Sequence, residues 1–160
     1  MNKIISIVIL GTGNLAELAM CYLQRDLKDE IVAFSVEKEY NTGSEFCGLP
    51  VIDFEDLLNK YPPETTKILI AIGPNKLSSV RERFYHEVKK LDYELVTYIS
   101  PKAHIWDVKN IGEGCFIFDG CIVEPKTSIG VNTVMWSGSI VALHSKIGEH
   151  CFLAPSATFS

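Results

Sequence analysis

From residue 99 onward, large aliphatic or aromatic residues recur at every sixth position: Ile99, Ile105, Ile111, Ile117, Val123, Ile129, Met135, Val141, Ile147, Leu153 and Phe159. Four residues after each stands a mostly small one: Ala103, Cys115, Cys121, Thr127, Thr133, Ser139, Ser145, Cys151 and Ala157, with Lys109 alone out of line. Glycine or alanine directly follows the large residue at Gly112, Gly130, Ala142, Gly148 and Ala154. A fixed period of six over this length is the hexapeptide repeat of a parallel β-helix. Each hexad predicts one flat face, and three hexads close a triangular coil. The large side chain fills the interior, the small one points inward beside it, and polar or glycine residues take the corners.

The same register accounts for most of the five cysteines. Cys115, Cys121 and Cys151 all fall on the small inward position, where a free thiol is a small hydrophobe. Cys115 and Cys151 share a face two coils apart, a separation of about 9–10 Å that no disulfide spans. The odd count and the lack of any Cys-x-x-Cys pair give no support to a disulfide framework or a zinc site. No metal is expected.

The preceding residues read differently. Ile4–Leu10 is a branched run suited to a strand buried on both faces. Gly11-Thr12-Gly13-Asn14-Leu15-Ala16 follows, leading into an amphipathic helix with Leu15, Leu18, Ala19, Tyr22 and Leu23. A second strand over 31–34 reaches Glu37, a short helix covers 54–60, and Lys67–Gly73 reads as another buried strand. A helix over 75–91 carries its stripe at Leu77, Val80, Phe84, Val88 and Leu91. Strands alternating with helices imply a parallel sheet with Rossmann-like winding. The expected division is therefore an α/β Rossmann-like domain over 1–98, followed by a β-helix over 99–160.

The glycine turn has a chemical reading. Gly11 and Gly13 permit a tight strand-to-helix turn and close approach of a phosphate, and Ala16 stands where close helix–strand packing needs a small residue. The helix amino terminus offers N–H groups to an anion. Glu37 lies roughly 20 residues further on, where a ribose-binding carboxylate is expected, although a solvated strand end reads equally well. Gly73, Asn75 and Lys76, at the end of another strand, should line the same crevice; Lys76 meets a phosphate there or is a plain surface lysine. Taken alone, this half also fits a small NAD-dependent reductase.

The net charge is −5, without any Lys/Arg-rich run, so neither nucleic acid nor an anionic membrane surface is an expected partner. The early apolar stretch is too short to span a bilayer and meets Gly-Thr-Gly rather than a cleavage site, so a cytoplasmic location is expected.

The whole chain resembles the NeuD/PglD-like family of bacterial sugar acyltransferases. The resemblance lies in Ile9-Leu-Gly-Thr-Gly-Asn14, Ile70-Ala-Ile-Gly-Pro-Asn-Lys76, Ile99-Ser-Pro-Lys-Ala103, and the stretch from Trp136-Ser-Gly-Ser-Ile-Val to His144-Ser-Lys-Ile-Gly148. It implies a left-handed winding of the coils and a homotrimer. It also implies a nucleotide-linked amino sugar as partner, bound by Gly11, Gly13, Asn14, Glu37, Gly73, Asn75 and Lys76, with acetyl-CoA as acyl donor held on the β-helix. A corner histidine would act as general base, and backbone N–H groups would stabilise the oxyanion.

Two departures accompany the resemblance. The family motif His-(Asp/Glu)-x-x-Ile-Gly puts the base four residues before Ile147, which is Leu143 here, and His144 follows it. His144 is the candidate base, the alternative being a substrate-contacting, structural or exposed histidine. His150 and His104 read as structural, and His86 as a solvated helix residue. The chain also reaches Phe159-Ser160 partway round a coil, whereas the resemblance implies further hexads, so a fragment and a shortened member both remain open. The alternative to an acyltransferase is a catalytically impaired nucleotide-sugar-binding or assembly protein of the same fold.

Overall fold

The computed structural model describes residues 5–74 and 78–160. They form two compact units, the described parts of Met1–Gly73 with Arg83–Val96, and of Pro74–Glu82 with Thr97–Ser160. The calls on Asn75, Lys76 and Leu77 lie outside the described residues.

The first unit is built on a six-stranded sheet. In chain order its elements are β1 (Ser6–Leu10), α1 (Asn14–Asp26), β2 (Glu30–Val36), β3 (Glu45–Phe46) and β4 (Leu49–Asp53). After these come α2 (Leu57–Lys60), β5 (Thr66–Ile70), the greater part of α3 (Ser79–Lys90) and β6 (Glu94–Leu95). The sheet order is β3-β4-β2-β1-β5-β6, parallel throughout except for the β3–β4 hairpin. β1 is central, and Ile7, Val8, Ile9 and Leu10 are all buried, as a branched run between two parallel neighbours requires. α1 buries Leu15, Ala16, Ala19 and Leu23, and α3 contributes Phe84 and Val88. Phe54 meets Phe84 edge to face at 5.2 Å. The buried Tyr93 donates its hydroxyl to the carbonyl of Tyr61 at 2.6 Å.

The structure adds to the expected elements and trims them. The strand expected over 67–73 ends at Ile70, and the helix expected over 54–60 is a 3₁₀ turn, Phe54–Asp56, running into α2. The β3–β4 hairpin and β6 were not expected. The hairpin turns on Cys47 (φ 49°) and Gly48 (φ 78°), the left-handed pair that matches strand twist in a two-residue connection.

The second unit is a parallel β-helix. Its two-residue strands are β7 (Tyr98–Ile99), β8 (His104–Ile105), β9 (Phe116–Ile117), β10 (Ile122–Val123), β11 (Ser128–Ile129), β12 (Val134–Met135), β13 (Ile140–Val141), β14 (Lys146–Ile147), β15 (Phe152–Leu153) and β16 (Thr158–Phe159). Each ends on the large residue of a hexad. The strands stack in three faces, β7-β9-β12-β15, β8-β10-β13-β16 and β11-β14, the last extended by a bridge from Ile111 to Ile129. All pairings are parallel and one coil apart, as in Phe116 with Val134 and Val134 with Phe152. Sheets of such short repeated strands fit a left-handed β-helix. The interior holds Cys115, Ile117, Cys121, Val123, Ile129, Met135, Val141, Ile147 and Leu153, the two expected rows together.

The corners show why the period holds. Gly114, Gly120, Lys126, Asn132, Gly138, His144, His150 and Ser156 all have positive φ, each three residues after the large residue of its hexad. The first corners depart from this. Around Lys109 the chain makes a 3₁₀ turn, Val108–Asn110, with Asp107 accepting the Lys109 N–H, which is why the small-residue row breaks there. At Gly130 a β-carbon would lie 2.4 Å from the carbonyl oxygen of Gly148, so coil stacking leaves no room for a side chain.

One charged side chain is sealed into this unit. Arg81 is 0% exposed and donates to the carbonyls of Asn132 (2.9 Å) and Gly114 (3.3 Å), two stacked corners. Burial pulls its pKa down to about 10, so it remains a cation at neutral pH. Asn132 answers with its amide on the Arg81 carbonyl at 3.2 Å and on His150 Nδ1 at 2.9 Å. A carbonyl can only accept, so the Asn132 atom is nitrogen and His150 Nδ1 is the acceptor, leaving the proton of the neutral ring on Nε2.

Candidate functional site

The two units each carry a candidate site. In the first, the chain leaves β1 through Gly11, whose φ is +121° and whose N–H donates to Ser35 at 2.8 Å. Gly13 caps α1 with extended backbone and without a side-chain cap bond, and Asn14 opens the helix on the surface. Ala16 and Glu17 direct their N–H groups to the Gly13 carbonyl, while the earliest N–H groups of a helix have no intrahelical acceptor. A β-carbon on Gly13 or on Gly73 would meet nothing within 4 Å. Neither position is glycine for want of space, and both leave the backbone open to an approaching group.

Beside this turn lies a cleft of about 150 Å³, lined by Thr12, Val36, Tyr40, Asn41, Thr42, Gly43, Glu45, Phe46 and Val51. Thr12 is the middle of the glycine turn and Val36 ends β2, so the cleft opens at the carboxyl ends of the strands, where ligands of parallel sheets bind. Asn41 is fixed by donating to Asp53 Oδ1 at 2.7 Å. Most of these lining residues escaped the sequence reading, because the hairpin is too short to show a period. The Asn41-Thr42-Gly43 turn signal was the available clue.

Glu37 sits just past β2, its two oxygens accepting from Arg83 Nη1 and Nη2 at 2.8 and 3.1 Å. The bond from Glu37 is the main reason the Arg83 pKa rises still further, with Glu87 adding to it. The carboxylate is thus held rigid, with lone pairs left over for another donor.

In the second unit, His144 occupies the corner after β13, exposed, with φ 63°. Among the described residues no hydrogen bond to its ring is found. Leu143 beside it in sequence is exposed (49%), as are Trp106 (73%) and Val108 elsewhere in this unit. His104 and His86 are exposed, and the His150 side chain is nearly buried against Asn132. The β-helix thiols are spent on packing. Cys115 donates to the Gly130 carbonyl at 3.1 Å and burial pushes its pKa up to about 11, while Cys121, also raised by burial, contacts the carbonyls of Met135 and Trp136. All five cysteines are free. No described helix is long and apolar enough to cross a membrane.

No family model matches the sequence, and no curated protein does. Solved structures do share its fold. A histidine-to-asparagine variant of perosamine N-acetyltransferase from Caulobacter crescentus, in complex with CoA and GDP-perosamine, matches over 96% of this chain and 70% of its own, with TM-score 0.81 and 20% identity. WeeI from Acinetobacter baumannii matches over 96% and 71%, with TM-score 0.81 and 24% identity. The acetyltransferase domain of PglB from Neisseria gonorrhoeae, in complex with acetyl coenzyme A, matches over 96% and 94%, with TM-score 0.59 and 17% identity.

Proposed function

We propose that the chain is an acetyl-CoA-dependent acyltransferase acting on an amine or hydroxyl of a nucleotide-linked sugar, in bacterial surface-glycan synthesis. The supporting observation is one chain that joins an open glycine turn at a helix amino terminus to a β-helix with an outward-facing corner histidine. Structures of this fold are found with CoA and GDP-perosamine, and with acetyl coenzyme A, which suits both halves of the reading.

On this reading the first unit is a Rossmann-like nucleotide-sugar domain. Gly11 shapes the turn, Gly13, Asn14 and Gly73 receive the phosphates, and Glu37, set by Arg83, accepts from a ribose hydroxyl. The β-helix, left-handed and assembled as a homotrimer, would take the thioester donor along its corners, where Trp106 and Val108 suit an aliphatic arm.

His144 acts as general base. It takes a proton from the sugar nucleophile as that nitrogen or oxygen bonds to the thioester carbonyl carbon. When the carbon–sulfur bond breaks, the same imidazolium returns the proton to the departing sulfur. Neutral imidazole is required at the start.

Thiol release from acetyl-CoA, measured with UDP-, dTDP- and GDP-linked amino sugars, tests the reading: one of them should support turnover. An exposed Leu143 at the expected position of the base favours the second reading, a binding protein without transfer. Nucleotide-sugar binding without CoA binding would establish that instead.

A further inference from the structure

The corner that presents His144 is held differently from its neighbours. Ser145 N–H closes it onto the Ala142 carbonyl at 3.2 Å, which puts His144 third in a β-turn with positive φ. A non-glycine residue pays roughly 1–2 kcal/mol for that conformation, and a flip of the preceding peptide would carry it back to negative φ. Other corners resist the flip by donating the N–H of the left-handed residue to a carbonyl of the coil beneath. The bond is 2.8 Å from Asn132, 2.9 Å from His150, and 3.1 Å from Gly138 and Ser156. From His144 to Pro125 it is 3.4 Å, close to the limit of a hydrogen bond.

A second bond holds the peptide one step earlier, where the chain enters the turn. The N–H of Leu143, the residue before His144, donates to Glu124 Oε2 at 2.7 Å. Glu124 belongs to the coil beneath, next to Pro125, which stands directly under Leu143 in the stack. Pro101, Pro125 and Pro155 occupy the same corner place in other hexads and have no N–H there, so the coil ladder does not need this bond. It is an addition made at the one corner where a histidine faces outward beside a weak ladder bond.

We propose that Glu124 is a positioning residue for acyl transfer: its carboxylate anchors the Ala142–Leu143 peptide, which leads into the left-handed turn that presents the imidazole. This rests on the reading of His144 as general base. Neither local sequence nor the family motif marks Glu124, which acts from the preceding coil.

The test compares Glu124→Ala, Glu124→Gln and Leu143→Pro in the full chain. Glu124→Ala should lower kcat about tenfold with both KM values nearly unchanged, and Glu124→Gln, whose carboxamide oxygen still accepts, should restore most of it. Leu143→Pro removes the N–H and fixes φ in the way Pro125 does below, so adding Glu124→Ala to it should change nothing further. Amide exchange at Leu143 should quicken in Glu124→Ala and stay slow in Glu124→Gln, whether or not the protein turns over. An unchanged kcat in Glu124→Ala, the full loss persisting in the Leu143→Pro background, or unaltered exchange would each overturn the assignment. Absence of turnover in the unmodified protein would instead bring down the acyltransferase reading and the catalytic consequence with it, while exchange would still report the tether.

Discussion

Gly11 backs onto the carbonyl oxygen of Ala71: a β-carbon at Gly11 would stand 2.7 Å from it, closer than real contacts allow. Gly13, two residues on, has open space around it. The two glycines of one turn therefore serve different ends, the first closing β1 against the end of β5 and the second leaving room.

Substitution should separate them. Gly11→Ala, with φ +121° and a backbone clash, should lower unfolding stability by about 2–3 kcal/mol. Gly13→Ala at a helix cap should change stability by only about 0.5 kcal/mol while weakening nucleotide-sugar binding. Urea denaturation and titration calorimetry on both variants measure the two quantities.

Glu37 and Arg83 form an exposed, forked pair at 2.8 and 3.1 Å. Such pairs contribute at most about 1 kcal/mol to stability, so Glu37→Ala should leave unfolding nearly unchanged. If the carboxylate meets a ribose hydroxyl, the same substitution should reduce nucleotide-sugar affinity about tenfold, the value of one charged hydrogen bond. Arg83→Ala, which frees Glu37 and removes the arginine's contacts with Glu87 and Phe84 but leaves the carboxylate in place, should cost less affinity.

Cysteine reactivity should follow the repeat register. Cys21 and Cys47 are exposed, whereas Cys115 and Cys121 are buried with thiol pKa values pushed up by burial. Iodoacetamide at neutral pH, read by peptide mass spectrometry, should label the exposed Cys21 and, more slowly, Cys47, whose thiol pKa is pushed up by burial and by the charge of Glu17. Cys115 and Cys121 should react only on unfolding.

Tyr93 sets a limit at alkaline pH. Burial pushes its pKa from 10.0 up to about 12, so the folded state holds a proton that the unfolded state loses first. The stability this represents is complete below pH 10 and disappears as pH climbs through 12. Tyr93→Phe should flatten that part of the stability–pH curve, measured by chemical denaturation, and forfeit the bond to Tyr61 at neutral pH.

What could be read beforehand follows from how local each determinant is. The β-helix was legible because every hexad repeats the same demand, and Cys115, Cys121, Met135 and Val141 all take the interior places that the period assigns. Gly11 and Gly13 were legible as a turn, but not as one packed and one open glycine, since that depends on Ala71. The β3–β4 hairpin, with strands of two and five residues, carries no period, and the cleft it lines stayed hidden. Glu124 reaches the Leu143 amide from the coil beneath, a relation that only stacking creates.

The central claim is that the chain moves an acetyl group from acetyl-CoA to a nucleotide-linked sugar with His144 as general base. Mass spectrometry of the sugar product, after incubation with acetyl-CoA and the panel of nucleotide-linked amino sugars, tests it most directly. The account predicts one product heavier by a single acetyl group with the unmodified chain, and its loss in His144→Ala. An acetylated product formed equally well by His144→Ala would contradict it.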